Sequence, residues 1–276
     1  MDKLILNLTP TGMIPTRAMT PHVPITPSEI ARDVTACVPF GVSMVHLHAR
    51  DDSGVPTYHK AIYGDILGRI RAAHPDLVLV VSTSGRNFPE FSQRSEVLDL
   101  EDGLRPDMAS LTLSSLNFPA TASVNSPDMI QRLAGRMQEK GIKPELEVFD
   151  LGMANYAHYL IHKGLITPPY FFNIILGNVA SAQAKLQHLG LIVSELPPAS
   201  IWSVGGIGAA QLAMNTVGIT CAHGVRVGLE DNIFFSEDRS VLASNVTLLE
   251  RVRKIADAIG RPVASPAEVR SLLFNA

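Results

Sequence analysis

Val42-Ser43-Met44-Val45-His46-Leu47-His48, and further on Leu77-Val78-Leu79-Val80-Val81-Ser82, decide the fold that this sequence can adopt. Both runs are short, rich in branched aliphatic residues and almost wholly apolar until their last positions. A strand of that composition has both faces covered, which is the condition of a parallel sheet flanked by helices. Outward from this pair, runs of the same kind recur at Leu4–Leu8, Met108–Thr112, Glu145–Phe149, Phe171–Leu176, Ile201–Gly205 and Gly224–Gly228. Their recurrence at about 25 to 40 residues leaves room for a helix in each interval, the period of a βα unit. Eight strands in 276 residues predict an α/β fold, a single (β/α)8 TIM barrel spanning residues 1–276, since such barrels typically close within about 250 residues. An open doubly wound sheet fits less well. The first strand runs into Thr9-Pro10-Thr11-Gly12, not into the glycine-rich turn of a dinucleotide site.

Helix starts agree with this parse. Thr26-Pro27-Ser28-Glu29 and Ser265-Pro266-Ala267-Glu268 each pair an N-cap hydroxyl with a glutamate three residues on, and each has proline at the first helical position. Ser126-Pro127-Asp128 opens another helix in similar style. The last two helices, Leu242–Ile259 and Pro266–Phe274, read as a C-terminal extension over the barrel's outside or as an oligomer contact.

Composition narrows the function classes. Apolar residues make up 46%, enough for a large core, while charged residues reach only 18%. A surface so lean in charge is expected to be covered in part by further copies of the chain, a homo-oligomer. The net charge of −3 and the lack of any Lys/Arg cluster argue against nucleic acid as a partner. The apolar stretch at the N-terminus is too short for a signal peptide, and no run approaches membrane-spanning length. Cys37 and Cys221 have no metal or redox spacing and read as reduced thiols. A cytoplasmic protein with no membrane partner is expected.

In a barrel of this kind the chemistry comes from the C-terminal ends of the strands. The second strand ends His46-Leu47-His48. Side chains two apart on a strand share a face, so both imidazoles point inward while Leu47 packs against helices. The eighth strand reads Arg226-Val227-Gly228-Leu229-Glu230-Asp231, and the same alternation puts Arg226, Gly228 and Glu230 on one face. His46, His48 and Glu230 then make three protein ligands for a catalytic Zn2+ with a position left open. Two blander readings stand beside this one: hydrogen-bonded core histidines, and a structural Arg226–Glu230 ion pair. Asp231, one residue later, is a candidate general base and not a ligand.

Other strand ends add polar groups. Glu145 and Glu147 alternate with Leu146 and Val148, so both face inward; Glu147 is the expected site residue and Glu145 a structural partner, for instance of an arginine. Ser82 and Ser110 end the third and fourth strands, and Asn173 lies on the sixth. The turn Gly205-Gly206-Ile207-Gly208 opens a helix where barrels often hold phosphate, so Gly205, Gly206 and Gly208 are candidates for a nucleotide-bearing cofactor. Among the remaining histidines, His22 in the first loop is retained as a candidate.

Taken together, Asn7-Leu8-Thr9, Thr26-Pro27-Ser28-Glu29-Ile30, His46-Leu47-His48-Ala49-Arg50-Asp51, Pro144-Glu145-Leu146-Glu147-Val148-Phe149-Asp150 and Val225-Arg226-Val227-Gly228-Leu229-Glu230-Asp231-Asn232 resemble the β-keto acid cleavage enzymes. The resemblance runs from Leu4 to Arg261-Pro262-Val263-Ala264. It implies a homotetrameric barrel with zinc on His46, His48 and Glu230, acting on a β-keto acid with acetyl-CoA to give acetoacetate and a new acyl-CoA. It further implies Asp231 as the base, Arg226 as the group that stabilises developing negative charge, and Ser82 and Glu147 as assisting residues. Ser110 stands where the family prototype has a threonine. The prototype holds its substrate's ammonium group with a carboxylate in the first loop, and this chain has Ile14 there. The expected substrate tail is therefore neutral and apolar, or acidic if Arg17 or Arg86 turns inward. The rival readings are a metal-dependent barrel hydrolase, an aldolase that does not use CoA, and a catalytically inert ligand-binding barrel.

Overall fold

The structure, a computed structural model, describes residues 2–274. Eight parallel strands close a barrel in sequential order: β1 (Ile5–Leu8), β2 (Met44–Leu47), β3 (Val78–Val81), β4 (Met108–Thr112), β5 (Lys143–Val148), β6 (Tyr170–Leu176), β7 (Ser200–Gly206) and β8 (Gly224–Val227), with β8 returning to β1. Among the described residues the principal helices are α1 (Pro27–Cys37), α2 (Lys60–Ala73), α3 (Phe91–Ser95), α4 (Pro127–Lys140), α5 (Leu151–His162), α6 (Leu186–Ser194), α7 (Ala210–Cys221), α8 (Asn245–Ala258) and α9 (Pro266–Phe274). The expected barrel is confirmed. Strand bounds differ from the sequence reading by at most two residues: β2 and β3 stop short of the polar His48 and Ser82, β5, β6 and β7 begin one or two residues earlier, and β4 matches.

Strand alternation divides the core in two. Outward residues such as Leu6, Val45, Leu79, Leu111, Val148, Phe172 and Val225 belong to one large cluster against the helices. Inward residues near the strand starts, among them Ile5, Met44, Val78, Met108, Phe171 and Ile201, form a second cluster inside the barrel. One step further along the same faces the interior turns polar: Asn7, His46, Ser110, Glu145, Asn173, Ser203 and Arg226 are all buried there. A one-residue slip in register would exchange the two faces of a strand, so the apolar outward set fixes which polar groups look inward.

The caps behave as the sequence indicates. Thr26 Oγ1 accepts the Glu29 N–H at 3.3 Å while Glu29 Oε2 accepts the Thr26 N–H at 3.0 Å. The same reciprocal pair joins Ser265 and Glu268 at 3.3 and 2.9 Å. The C-terminal helices differ from expectation. α8 is the eighth helix of the barrel itself, packed between α7 and α1. α9 does not extend over the outside: its Val269 and Leu273 join the interior cluster and close the N-terminal end of the barrel. Arg270 pins it there with bonds to both oxygens of Asp107 at 2.9 Å. The apolar lower layer needs a cover, and α9 supplies it.

Candidate active site

At the opposite end, the inward residues of β2, β5 and β8 converge. His46 Nε2 and His48 Nε2 face one another at 3.3 Å. Glu230 Oε1 lies 3.2 Å from His48 Nε2 and 4.0 Å from His46 Nε2. His46, His48 and Glu230 thus present one nitrogen or oxygen each within a single small volume, a donor set suited to a metal ion. Glu230 Oε2 is buried without a hydrogen-bond partner, which leaves it free for a ligand.

Glu230 is not on the ladder; it sits in the turn after β8, whose last paired residue is Val227. Two glycines bring that turn against β1. A Cβ on Gly228 would meet the Thr9 carbonyl oxygen at 2.1 Å, and the Glu230 N–H donates to the same carbonyl at 3.1 Å. Gly12 has φ +65, and a Cβ there would meet Glu230 Cγ at 2.5 Å. The turn has this shape only with glycine at both contacts.

The other nitrogen of His46 is held from below. Its Nδ1 lies 2.6 Å from Glu145 Oε2, and Glu145 Oε1 accepts from Asn7 Nδ2 at 2.9 Å and from Asn173 Nδ2. Glu145 is thus a structural partner, as expected, though of a histidine and two asparagines and not of an arginine. Barrel closure sets β5 opposite β2, and no local pattern reveals that pairing. Carboxylate–histidine pairs of this kind fix the tautomer that leaves Nε2 free to ligate.

Arg226 organises the acids. Its Nη2 donates to Glu230 Oε1 at 2.7 Å, its Nε donates to Asp231 Oδ2 at 2.9 Å, and its Nη1 lies 3.7 Å from Glu147 Oε1. The structural ion pair and the ligand set thus coexist. Burial opposes the Arg226 charge, but Asp231, Glu230 and Glu147 outweigh it and hold the guanidinium well above its usual pKa. Glu230 lies well below the usual carboxylate range, because Arg226, His48 and His46 overcome the penalty of burial. Burial pushes Asp231 up despite Arg226. Burial also raises Glu147, whose Oε2 accepts the Thr112 hydroxyl at 2.6 Å. His46 is pushed up to about 9: burial works against its charge, and Glu145 and Glu230 prevail. Burial pulls His48 down.

These groups border a cavity of about 700 Å3 at the C-terminal ends of the strands, within the usual range for a small-molecule site. His48, Ser82, Glu147, Arg226, Glu230 and Asp231 line it. Ile14 and Arg86 line it too. Ser110 does not: it is buried beneath, its Oγ accepting the Thr83 N–H at 3.1 Å. Thr112, two residues further along the same inward face, lines the cavity and was missed; its parity with Met108 was the signal. In the turn after β7, Gly205 packs on the Arg226 side chain and Gly206 on the backbone of α7, while Gly208 alone opens on the cavity. Arg17 turns away, both oxygens of Glu29 taking its Nη2 at 2.7 Å. His22 is exposed and lies off the cavity. Sequence reading also missed Arg50, whose Nη2 donates to the carbonyls of Gly12 and Pro15 at 2.7 and 2.8 Å and so pins the first loop over the site.

Residues 3–274 match the family described as beta-keto acid cleavage enzyme. A 3-keto-5-aminohexanoate cleavage enzyme of Fusobacterium nucleatum is 36% identical over 99% of this chain and 98% of its own length. A 3-oxoadipate:acetyl-CoA acetyltransferase of Cupriavidus necator is 35% identical over 98% of this chain and 94% of its own. Among solved structures, the apo structure of ObcA superposes with a TM-score of 0.81 at 21% identity, covering 92% of this chain and 65% of that one. That likeness concerns the fold.

Proposed function

The chain belongs to the beta-keto acid cleavage enzyme family, and from that premise we propose that it is a zinc-dependent enzyme that joins a β-keto acid to acetyl-CoA and releases acetoacetate and a new acyl-CoA. One observation carries the reading: His46, His48 and Glu230 converge beside Arg226 and Asp231, with all but the buried His46 lining one cavity. The donor chemistry fits zinc, since two imidazoles and one carboxylate are the ligand types of a catalytic zinc site. When bound, the ion would supply Lewis-acid polarisation of the keto and carboxylate oxygens of the substrate.

The chain's own residues account for the rest. Asp231 takes a proton from the carbon between the keto and carboxyl groups of the substrate. The resulting enolate carbon attacks the thioester carbonyl of acetyl-CoA, and the CoA thiolate leaves. The thiolate then attacks the keto carbon of the original acid; the carbon–carbon bond breaks, and the proton returns through Asp231 to the acetoacetate carbanion. Negative charge develops on oxygen at each addition, where Arg226 stands with a charge held by its three acids. Ser82 and Glu147, with Thr112 behind it, complete the polar wall around the substrate. CoA enters as co-substrate, with Gly208 as the one glycine of its turn that opens on the cavity.

Two relatives named for an amino keto acid and for a keto diacid are almost equally similar to this chain, so overall identity does not choose the substrate's tail. Ile14 does bear on it: no carboxylate replaces it among the first-loop residues lining the cavity, which disfavours a cationic tail. Exposed Leu186 and Leu191 on α6 support assembly of several copies. The test is acetoacetate formation by purified protein from a panel of 3-oxo acids with acetyl-CoA. Turnover that persists when acetyl-CoA is omitted would favour a hydrolase or aldolase instead.

A further inference from the structure

We propose that Arg86 selects the substrate, and that the β-keto acid this cavity takes carries a second carboxylate at its far end. The inference rests on the reaction proposed above. Arg86 lines the cavity with its guanidinium 3.5 Å above the ring of Phe118. Stacking on a ring fixes the plane of the guanidinium fork, and a fixed fork matches the two oxygens of a carboxylate.

The same side chain lacks a partner. Its Nε is buried and makes no hydrogen bond. Among the described residues the site acids Glu147, Glu230 and Asp231 pair with Arg226, whereas Arg86 joins no ion pair. A half-buried cation without a partner is costly unless a ligand completes it. The other arginines are otherwise placed. Arg17 is bound by Glu29 on the surface, and Arg94 is committed to Thr83 O, Val124 O and Asn125 Oδ1. Arg239 borders the cavity but is exposed, where water and salt screen it.

The position is built as well. A Cβ on Gly85 would meet Arg94 Nη1 at 2.5 Å and the Val124 carbonyl oxygen at 2.9 Å, so the backbone before Arg86 is wedged against a fixed neighbour. Burial pulls the Arg86 pKa down against the charges of Glu230, Glu147 and Asp231, and Arg86 lines the same cavity as those three acids. An ammonium tail would meet this cation and find no acid on the Ile14 and Met19 side.

A carboxylate is not the only anion that a guanidinium holds; a phosphate of CoA has the same chemistry, and the experiment separates them. Initial rates are measured for wild type, Arg86→Gln and Arg86→Lys with a 3-oxo diacid and with the matched 3-oxo monoacid bearing a methyl group at its end, varying keto acid and acetyl-CoA in turn. The expected result is that wild type prefers the diacid, and that Arg86→Gln lowers this selectivity by about 10- to 100-fold through KM for the diacid. Arg86→Lys recovers part of the selectivity, which shows that the loss follows the charge and not the fold. A wild type that turns over the monoacid as well as the diacid overturns this inference and leaves the reaction standing. A rise in KM for acetyl-CoA with both keto acids in Arg86→Gln also overturns it, assigning Arg86 to a CoA phosphate. No turnover of either acid overturns both this inference and the reaction on which it rests.

Discussion

Replacing Glu145 by Gln tests how the candidate metal ligands are held. Glu145 is fully buried, with Oε2 2.6 Å from His46 Nδ1 and Oε1 accepting from two amide groups, those of Asn7 and Asn173. Glutamine is isosteric but has one oxygen and one NH2 group. If its oxygen stays with the two asparagines, its NH2 points at His46 Nδ1, which must then accept. The ring proton moves to Nε2, and His46 loses the lone pair that a metal needs. If the glutamine turns over, its NH2 faces the two asparagine NH2 groups, and buried donors are left unpaired. Either arrangement also gives up a hydrogen bond to a charged acceptor, a contribution of about 1.5 to 3 kcal/mol. That range corresponds to the 10- to 100-fold loss of metal affinity typical of such outer partners. The assay is zinc competition against a chromophoric chelator, with Glu230→Ala as the reference for a lost ligand and thermal melting as the check on folding. An unchanged zinc affinity in a folded Glu145→Gln protein would refute the role assigned to Glu145.

Further outcomes follow from the same geometry. Arg226→Met should cut kcat by about 100- to 1,000-fold, because it removes fixed positive charge where oxyanions develop; steady-state kinetics on folded variant check this, and a loss confined to KM would contradict it. Gly12→Ala puts a Cβ into Glu230 Cγ at a positive φ, so both zinc affinity and melting temperature should fall, the latter by a few degrees for about 1 to 3 kcal/mol of strain. Asp33 is pushed up to about 6 by burial, against the hydrogen bond from Asn245. A raised carboxylate pKa favours the folded state while the group is protonated and loses that advantage as pH rises from about 4 through 6. Asp33→Asn should therefore stabilise the protein by up to about 3 kcal/mol at pH 7, with the gap closing as pH falls toward 4; melts across that range with equal gaps throughout would contradict it.

Much of the fold was legible because the barrel's outward faces are so uniformly apolar that each strand declares itself. His46, His48 and Glu230 followed from parity at strand ends, even though Glu230 lies one turn beyond the ladder. What closure alone decides was not legible. The facing of Glu145 and His46 depends on β5 lying across the barrel from β2, and nothing in either strand names the other. Ser110 and Thr112 share a face, and depth along β4 decides which of them reaches the cavity. α9 carries its apolar residues in a pattern that fits an outside surface as well as an end plug. Arg17 and Arg86 were equivalent in sequence; Glu29 holds one outside, and Phe118 holds the other over the cavity.

The central claim is that a metal on His46, His48 and Glu230 enables acetyl-CoA-dependent cleavage of a β-keto acid. It is tested most directly by stripping the purified protein of metal, titrating zinc back and following bound metal and acetoacetate formation together. The account predicts no turnover in the stripped protein, activity that rises with zinc up to one ion per chain, and neither binding nor turnover in Glu230→Ala. Full activity in the stripped protein, or zinc-dependent activity retained in Glu230→Ala, would contradict it.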